Sequence, residues 1–213
     1  MIFRFFTVYF ILHSYFAVWA QKTFHIDHLN HDTILFAPNA AYLLDSEQNI
    51  TAQNLLSTRR NFVDFVPGTC SSPDQNSYWL KVPISNGSAK PYVLEFLDPH
   101  IYQITAYAEY KGKLVALDKT QGYGLDFTNK KYQYKNFIFD IATDTKDSIN
   151  YYFHFKTHLV NCFIFKVRPV HTTLNYALTE YSILSFYYGV LFLMALYNFI
   201  LFYVYESGCI CIM

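Results

Sequence analysis

Residues able to do chemistry are sparse in this chain and fall in a few short stretches. His25, His28 and His31 recur every third residue, with Asp27 and Asp32 beside them. On a helix that spacing could gather imidazoles around a metal. No apolar face supports a helix here, so a polar linker carrying histidines is the favoured reading and no metal site is expected. Asp98 with His100, or Asp126 with Asp140, could supply acid–base or paired-carboxylate chemistry. Asp98-Pro99-His100 reads more readily as a turn between strands. No Gly-x-Ser-x-Gly elbow, His-Glu-x-x-His pair or phosphate-cradling glycine loop occurs. The expectation is a protein that is not an enzyme and needs no cofactor.

Binding is the better chemical reading. Sugar rings stack on aromatic faces while carboxylates, amides and imidazoles bond their hydroxyls. Trp79 shares a strand face with Lys81, Tyr123 sits in a glycine-rich loop, and Tyr102, Tyr132 and Tyr134 alternate with polar residues. A shallow site built from Trp79, Lys81, Asp98, His100, Tyr102, Tyr123 and Asp126 would take a small polar molecule, a carbohydrate for example. The competing reading packs Trp79 under a loop or against a second sheet, and taken singly it is the weightier one.

These residues need strands to position them. Aromatic residues make up 20% of the chain, which favours a pleated, half-buried surface. From Asn61 onward apolar residues recur with period two. Leu80, Val82 and Ile84 share one face; so do Tyr92, Leu94 and Phe96; Phe137, Phe139 and Ile141; Tyr151, Phe153 and Phe155; and Phe163, Phe165 and Val167. Asn86-Gly87 and Lys111-Gly112 are turn signals, the second closing a hairpin. Thr33 to Leu44 supplies one or two earlier strands, and Thr51 to Arg59 is the one helix expected outside the membrane. Seven or so strands with a minor helix predict a mainly β fold, an antiparallel jelly-roll β-sandwich over residues 33–170. Residues 21–32 read as a linker.

Both ends of the chain are apolar. Met1 to Ala20 has Arg4, an apolar run and Val18-Trp19-Ala20, the pattern of a cleaved signal peptide. Tyr181 to Tyr205 is 25 residues without Asp, Glu, Lys, Arg or His. As a helix it is about 37 Å long, enough to cross the ~30 Å hydrocarbon core of a bilayer. Residues 171–180 contain no Gly or Pro and would extend that helix as a stiff stalk, leaving 206–213 as a short cytoplasmic tail. Ser185 and Gly189 form a small-x-x-x-small pair and Asn198 lies at depth; both suit a helix that packs against other membrane helices or a second copy, though for the pair a lone anchor that tolerates them is at least as good a reading. Formal charge is zero overall, with no basic patch to suggest nucleic acid. Cys70 and Cys162 could pair in an oxidising compartment if the fold brings them together. Cys209 and Cys211 read as incidental tail residues. Asn49-Ile50-Thr51 and Asn86-Gly87-Ser88 match the glycosylation pattern.

Taken in order, these segments resemble a known family. A signal peptide leads to a sandwich carrying Tyr78-Trp79-Leu80-Lys81-Val82 and an aromatic strand ending in Asp98-Pro99. A Lys111-Gly112 hairpin, Gly122-Tyr123-Gly124-Leu125-Asp126-Phe127 and Phe137-Ile138-Phe139-Asp140 follow, then a helix with Gly189 and Leu196-Tyr197-Asn198. The arrangement resembles the second type of extracellular domain in bacterial seven-transmembrane receptors with diverse intracellular signalling modules. The resemblance implies a fold related to carbohydrate-binding modules, a sensor in the periplasm and an anchor in the inner membrane. In that family six more membrane helices and an output module follow. This chain stops after the first helix and reads as a truncated or split receptor.

Overall fold

The computed structural model describes residues 23–26, 33–35, 40–57, 62–65, 77–145, 147–157 and 164–210. Its strands are β1 (Phe24–His25), β2 (Thr33–Leu35), β3 (Ala41–Leu44), β4 (Val63–Asp64), β5 (Ser77–Ser85), β6 (Tyr92–Phe96), β7 (Gln103–Tyr110), β8 (Lys113–Ala116), β9 (Phe137–Ile141), β10 (Ile149–Lys156) and β11 (Phe165–Pro169). A single long helix, α1 (Val170–Ile210), follows without a break.

Two sheets form an antiparallel jelly-roll sandwich. The larger runs β4-β3-β5-β10-β7-β8, with β1 joined in parallel to β5; the smaller runs β2-β11-β6-β9. Chain order crosses repeatedly between the two sheets, so Asn86 does not close a hairpin. Its side chain accepts from Ser88 N and donates to Ala142 O, 3.1 and 3.0 Å, tying two crossovers together from a fully buried position. Lys111-Gly112 does close one: both have positive φ, 50° and 72°, the twist a two-residue hairpin between Tyr110 and Lys113 requires.

Period-two side chains fill the space between the sheets. Leu80, Val82 and Ile84 of β5 and Tyr151, Phe153 and Phe155 of β10 meet Leu94, Phe96, Phe139 and Phe165 from the other layer. Phe96 lies edge-on to Phe153 and Phe155, at 4.9 and 5.2 Å between centroids. Such pairs add to the burial that drives the layers together.

Two local expectations change. Residues 52–57 form a run of turns rather than the helix expected from Thr51 to Arg59. The first turn begins as a helix would: Leu55 N donates to Thr51 O at 3.0 Å, and Asn54 accepts from Thr51 N at 2.8 Å as in a capping box, but the described residues continue only as turns. The expected linker contributes β1, and Ile26 beyond it is fully buried in the core.

The smaller sheet has a second covered face. Glu95 of β6 and Arg168 of β11 meet there at 3.2 Å with side chains 1% and 2% exposed. Asn136 donates to the other Glu95 oxygen at 2.6 Å, and Tyr176 of α1 lies 5.2 Å from the guanidinium. Removing one charge would strand the other away from water. Glu95→Ala is expected to destabilise the fold by about 3–5 kcal/mol. Glu95→Leu combined with Arg168→Met should recover most of that loss, as read by denaturant unfolding of the two variants.

A membrane-coupled β-sandwich and its candidate ligand cleft

The outer face of the larger sheet carries an aromatic row set by cross-strand register. Trp79 of β5 lies opposite His154 of β10. Their rings stack at 4.5 Å and 15°, and Tyr107 of β7 leans on the indole at 5.7 Å. Above them Ile50 and Leu55 complete a small second core with Trp79 and Tyr152. Asp45 holds this covering segment in place. Its two carboxylate oxygens accept from Asn49 N and Ile50 N at 3.1 and 3.0 Å.

The covering segment stops short of the sheet's end and leaves a cleft of about 250 Å3. Gln48, Thr51, Ser77, Trp79, His154 and Lys156 contribute to its walls. Ser77 Oγ and His154 Nε2 lie 2.8 Å apart. Trp79 is 1% exposed, and its buried indole N–H has no hydrogen-bond partner among the described residues. Burial pushes the His154 imidazole down to about 4, helped by Lys156 and opposed by Asp45. A larger hollow of about 460 Å3 lies between the same segment and the β7–β8 hairpin, lined by half-buried Ala52, Leu56 and Leu114 together with exposed Gln53, Ser57 and Lys113.

The residues expected to form one ligand site are divided. Trp79 does not offer its face to a sugar: it is buried beneath residues 45–57, and His154 occupies one side of the ring. Lys81 lies on the same sheet face, paired in register with Tyr152 and Ala41. The remaining members sit in the loops flanking β7. Asp98 Oδ1 accepts from His100 N at 2.8 Å, the turn expected there, and His100 Nδ1 comes within 3.3 Å of the same oxygen. Tyr102 and Tyr123 meet edge to face at 5.5 Å, the latter 54% exposed. Gly122 permits that approach, because a Cβ there would lie 1.9 Å from Tyr102 O. Asp126 caps the short turn Phe127–Asn129 through Thr128 N, which holds its carboxyl below the usual range. Asp140 is engaged instead by Lys131 and by Tyr132 Oη, the latter at 2.7 Å. Tyr134, expected to be exposed, is buried.

Tyr134 belongs to a feature that sequence reasoning missed, the junction with α1. Val170 and Ala177 pack on Val93, Tyr134 and Ile138 of the smaller sheet's outer side. Val170 N donates to Pro91 O at 3.1 Å. Tyr134 Oη donates to Glu180 Oε2 at 2.5 Å, and Lys135 pairs with Oε1. These two donors, Lys135 first, hold the Glu180 carboxyl below its ordinary range. Lys130 locks the loop behind them. Its ammonium donates to the carbonyls of Tyr134 and Lys135, both at 2.9 Å, and lies 4.2 Å from the Phe137 ring; burial pushes it down to about 8.

Beyond the junction every residue from Tyr181 to Glu206 is exposed. The helix over Val170–Glu206 is long and apolar enough to cross a bilayer. Ser185 and Gly189 lie on it, and a Cβ at Gly189 would meet nothing within 4 Å. Asn198 donates to Met194 O at 2.9 Å, so part of its amide is satisfied within the helix. Cys70 and Cys162 lie outside the described residues, as do His28, His31 and Cys211.

Sandwich, docked helix and apolar span together define a β domain carried on a helix long and apolar enough to anchor it in a membrane. The family described as 7TMR-DISM extracellular 2 matches residues 37–167, most of the chain, and the protein belongs to it. No curated protein compared with the chain matches it. Among solved structures it is similar to the Ruminococcus gnavus β-glucuronidase, solved in complex with uronic isofagomine. The TM-score is 0.39 and the identity 12%, over 64% of this chain and 23% of that one. The chain thus spans under a quarter of that enzyme's length, and the enzyme's activity is its own.

The cleft has a pH signature. His154 holds its proton less tightly folded than unfolded, so between pH ~6.5 and its native value near 4 only the unfolded chain takes it up. Stability is therefore complete above that window and falls as pH drops through it. Wild type is expected to lose on the order of 2 kcal/mol more than His154→Gln between pH 7 and 4.5. Denaturant midpoints of the two proteins across that range check this.

Proposed function

We propose that this protein is the extracytoplasmic sensing part of a membrane receptor, binding a saccharide or another small polar molecule without turning it over. The observation that carries the reading is the junction. The sandwich grips α1 at Glu180, immediately before the apolar span, through Tyr134 and Lys135. No flexible linker separates β11 from the helix, since Pro169 ends one and Val170 begins the other. A ligand that favours one sandwich geometry over another then biases helix position by its difference in affinity for the two. Membership of the extracellular receptor family supports the same role.

In this reading Met1–Ala20 directs export, the sandwich lies in the periplasm, and α1 anchors it in the inner membrane. Lipid surrounds the span, and Ser185, Gly189 and Asn198 face other membrane helices or a second copy.

The full chain in lipid nanodiscs, screened on a glycan array and then followed by hydrogen exchange, tests the proposal. Binding of at least one glycan should change amide protection across residues 170–181, and Glu180→Ala should abolish that change while leaving binding intact. Glycans that bind and never alter this protection would make the protein a tethered adhesion module. Failure of every saccharide and small polar metabolite to bind would remove the sensing role.

A further inference from the structure

The cleft over Trp79 is donor-rich in a way that selects its ligand. Among the described residues lining it, Lys156 is the one that is formally charged, and it is exposed. Among the described residues no carboxylate lines the walls. The nearby Asp45 is buried and committed to two backbone N–H groups. The Trp79 indole N–H adds a buried donor with no partner among the described residues. A buried donor left unpaired costs free energy that a ligand oxygen would recover. Ser77 Oγ and His154 Nε2 engage one another, while Gln48, Thr51 and the remaining lone pairs of Ser77 can meet ligand hydroxyls; the element a neutral polyol would leave unused is the ammonium. Ring stacking is also disfavoured, because His154 lies flat on the indole. What distinguishes one ligand class from another here is the indole edge and the ammonium. At about 250 Å3 the space is below that of a drug-sized pocket.

We propose that this cleft, between residues 48–52 and strands β5 and β10, binds a small carboxylate of the size of a sugar acid. Lys156 pairs with the carboxylate, and Trp79 Nε1 donates to a second oxygen of the ligand. The assignment rests on the sensing role above and names its site and ligand class. It also gives Asp45 a purpose in ligand binding: by pinning residues 49 and 50 it keeps one wall of the cleft in place.

Calorimetric titration of the full chain in nanodiscs with galacturonate and with galactose tests the assignment, since the two share a ring and differ in the carboxylate. Galacturonate is expected to bind at least about tenfold more tightly, with affinity falling as salt is raised. Lys156→Met should weaken it by about tenfold or more without moving the thermal midpoint, because Lys156 is exposed. Equal binding of galactose, an unchanged affinity in Lys156→Met, or failure of galacturonate, lactate, succinate and acetate alike would overturn the assignment. Its failure can be told from that of the sensing role. Lys156-dependent carboxylate binding without altered protection across 170–181 upholds the site and removes sensing. A neutral glycan that alters that protection, with Lys156→Met silent, overturns the site and leaves sensing standing.

Discussion

The passage of β11 directly into α1 is the constraint on which the structure turns. The uncharged stretch Tyr181–Tyr205 of that helix has its free-energy minimum in lipid. Because Val170 follows Pro169 with no linker, the sandwich cannot orient independently of that helix. The first turns of α1 therefore lie on the smaller sheet, where Val170 and Ala177 cover Val93 and Ile138. That cover accounts for the burial of Glu95 and Arg168. The sheet face that would otherwise be wet becomes an interior, and the two charges survive there only as a pair.

The two outer faces of the sandwich consequently differ in kind. One is occupied by the membrane helix and is rich in charged contacts: Glu95 with Arg168, and Glu180 with Lys135. The other is partly roofed by residues 45–57 and keeps a small polar cleft. Close-packed aromatic residues lie between them, with Phe96 touching Phe153 and Phe155 across the layers. Interiors packed this tightly transmit displacement rather than absorb it. The sandwich thus has one outer face against the first turns of α1 and the other beside an open cleft.

Much of the fold was legible because period two is a local property. The alternation of Leu80, Val82 and Ile84 against Trp79 and Lys81 assigned each side chain to its sheet face, and the structure keeps that assignment. Parity, however, says nothing of what covers a face. Trp79 points outward from the sheet as expected and is still buried, because Asp45 folds a distant segment over it. The partners of that Trp, His154 and Tyr107, come from strands far along the chain, so the cleft left no continuous motif. Glu95 and Arg168 likewise occupy positions that alternation marks as polar and outward. Only the docking of α1 makes them interior.

The amino-acid order alone missed β1 and Ile26, but from Tyr78 onward it marked the main strands and their core-facing side chains, and it marked the stretch apolar enough for a bilayer. These follow from side-chain periodicity and from transfer free energy, and both are read within a few neighbouring residues. Tertiary structure decided which outward faces stay wet, where charges can be buried, and how the sandwich grips its helix at Glu180. Those outcomes depend on contacts between residues distant in sequence, such as Tyr134 and Glu180, whose meeting is fixed by the packing of whole elements.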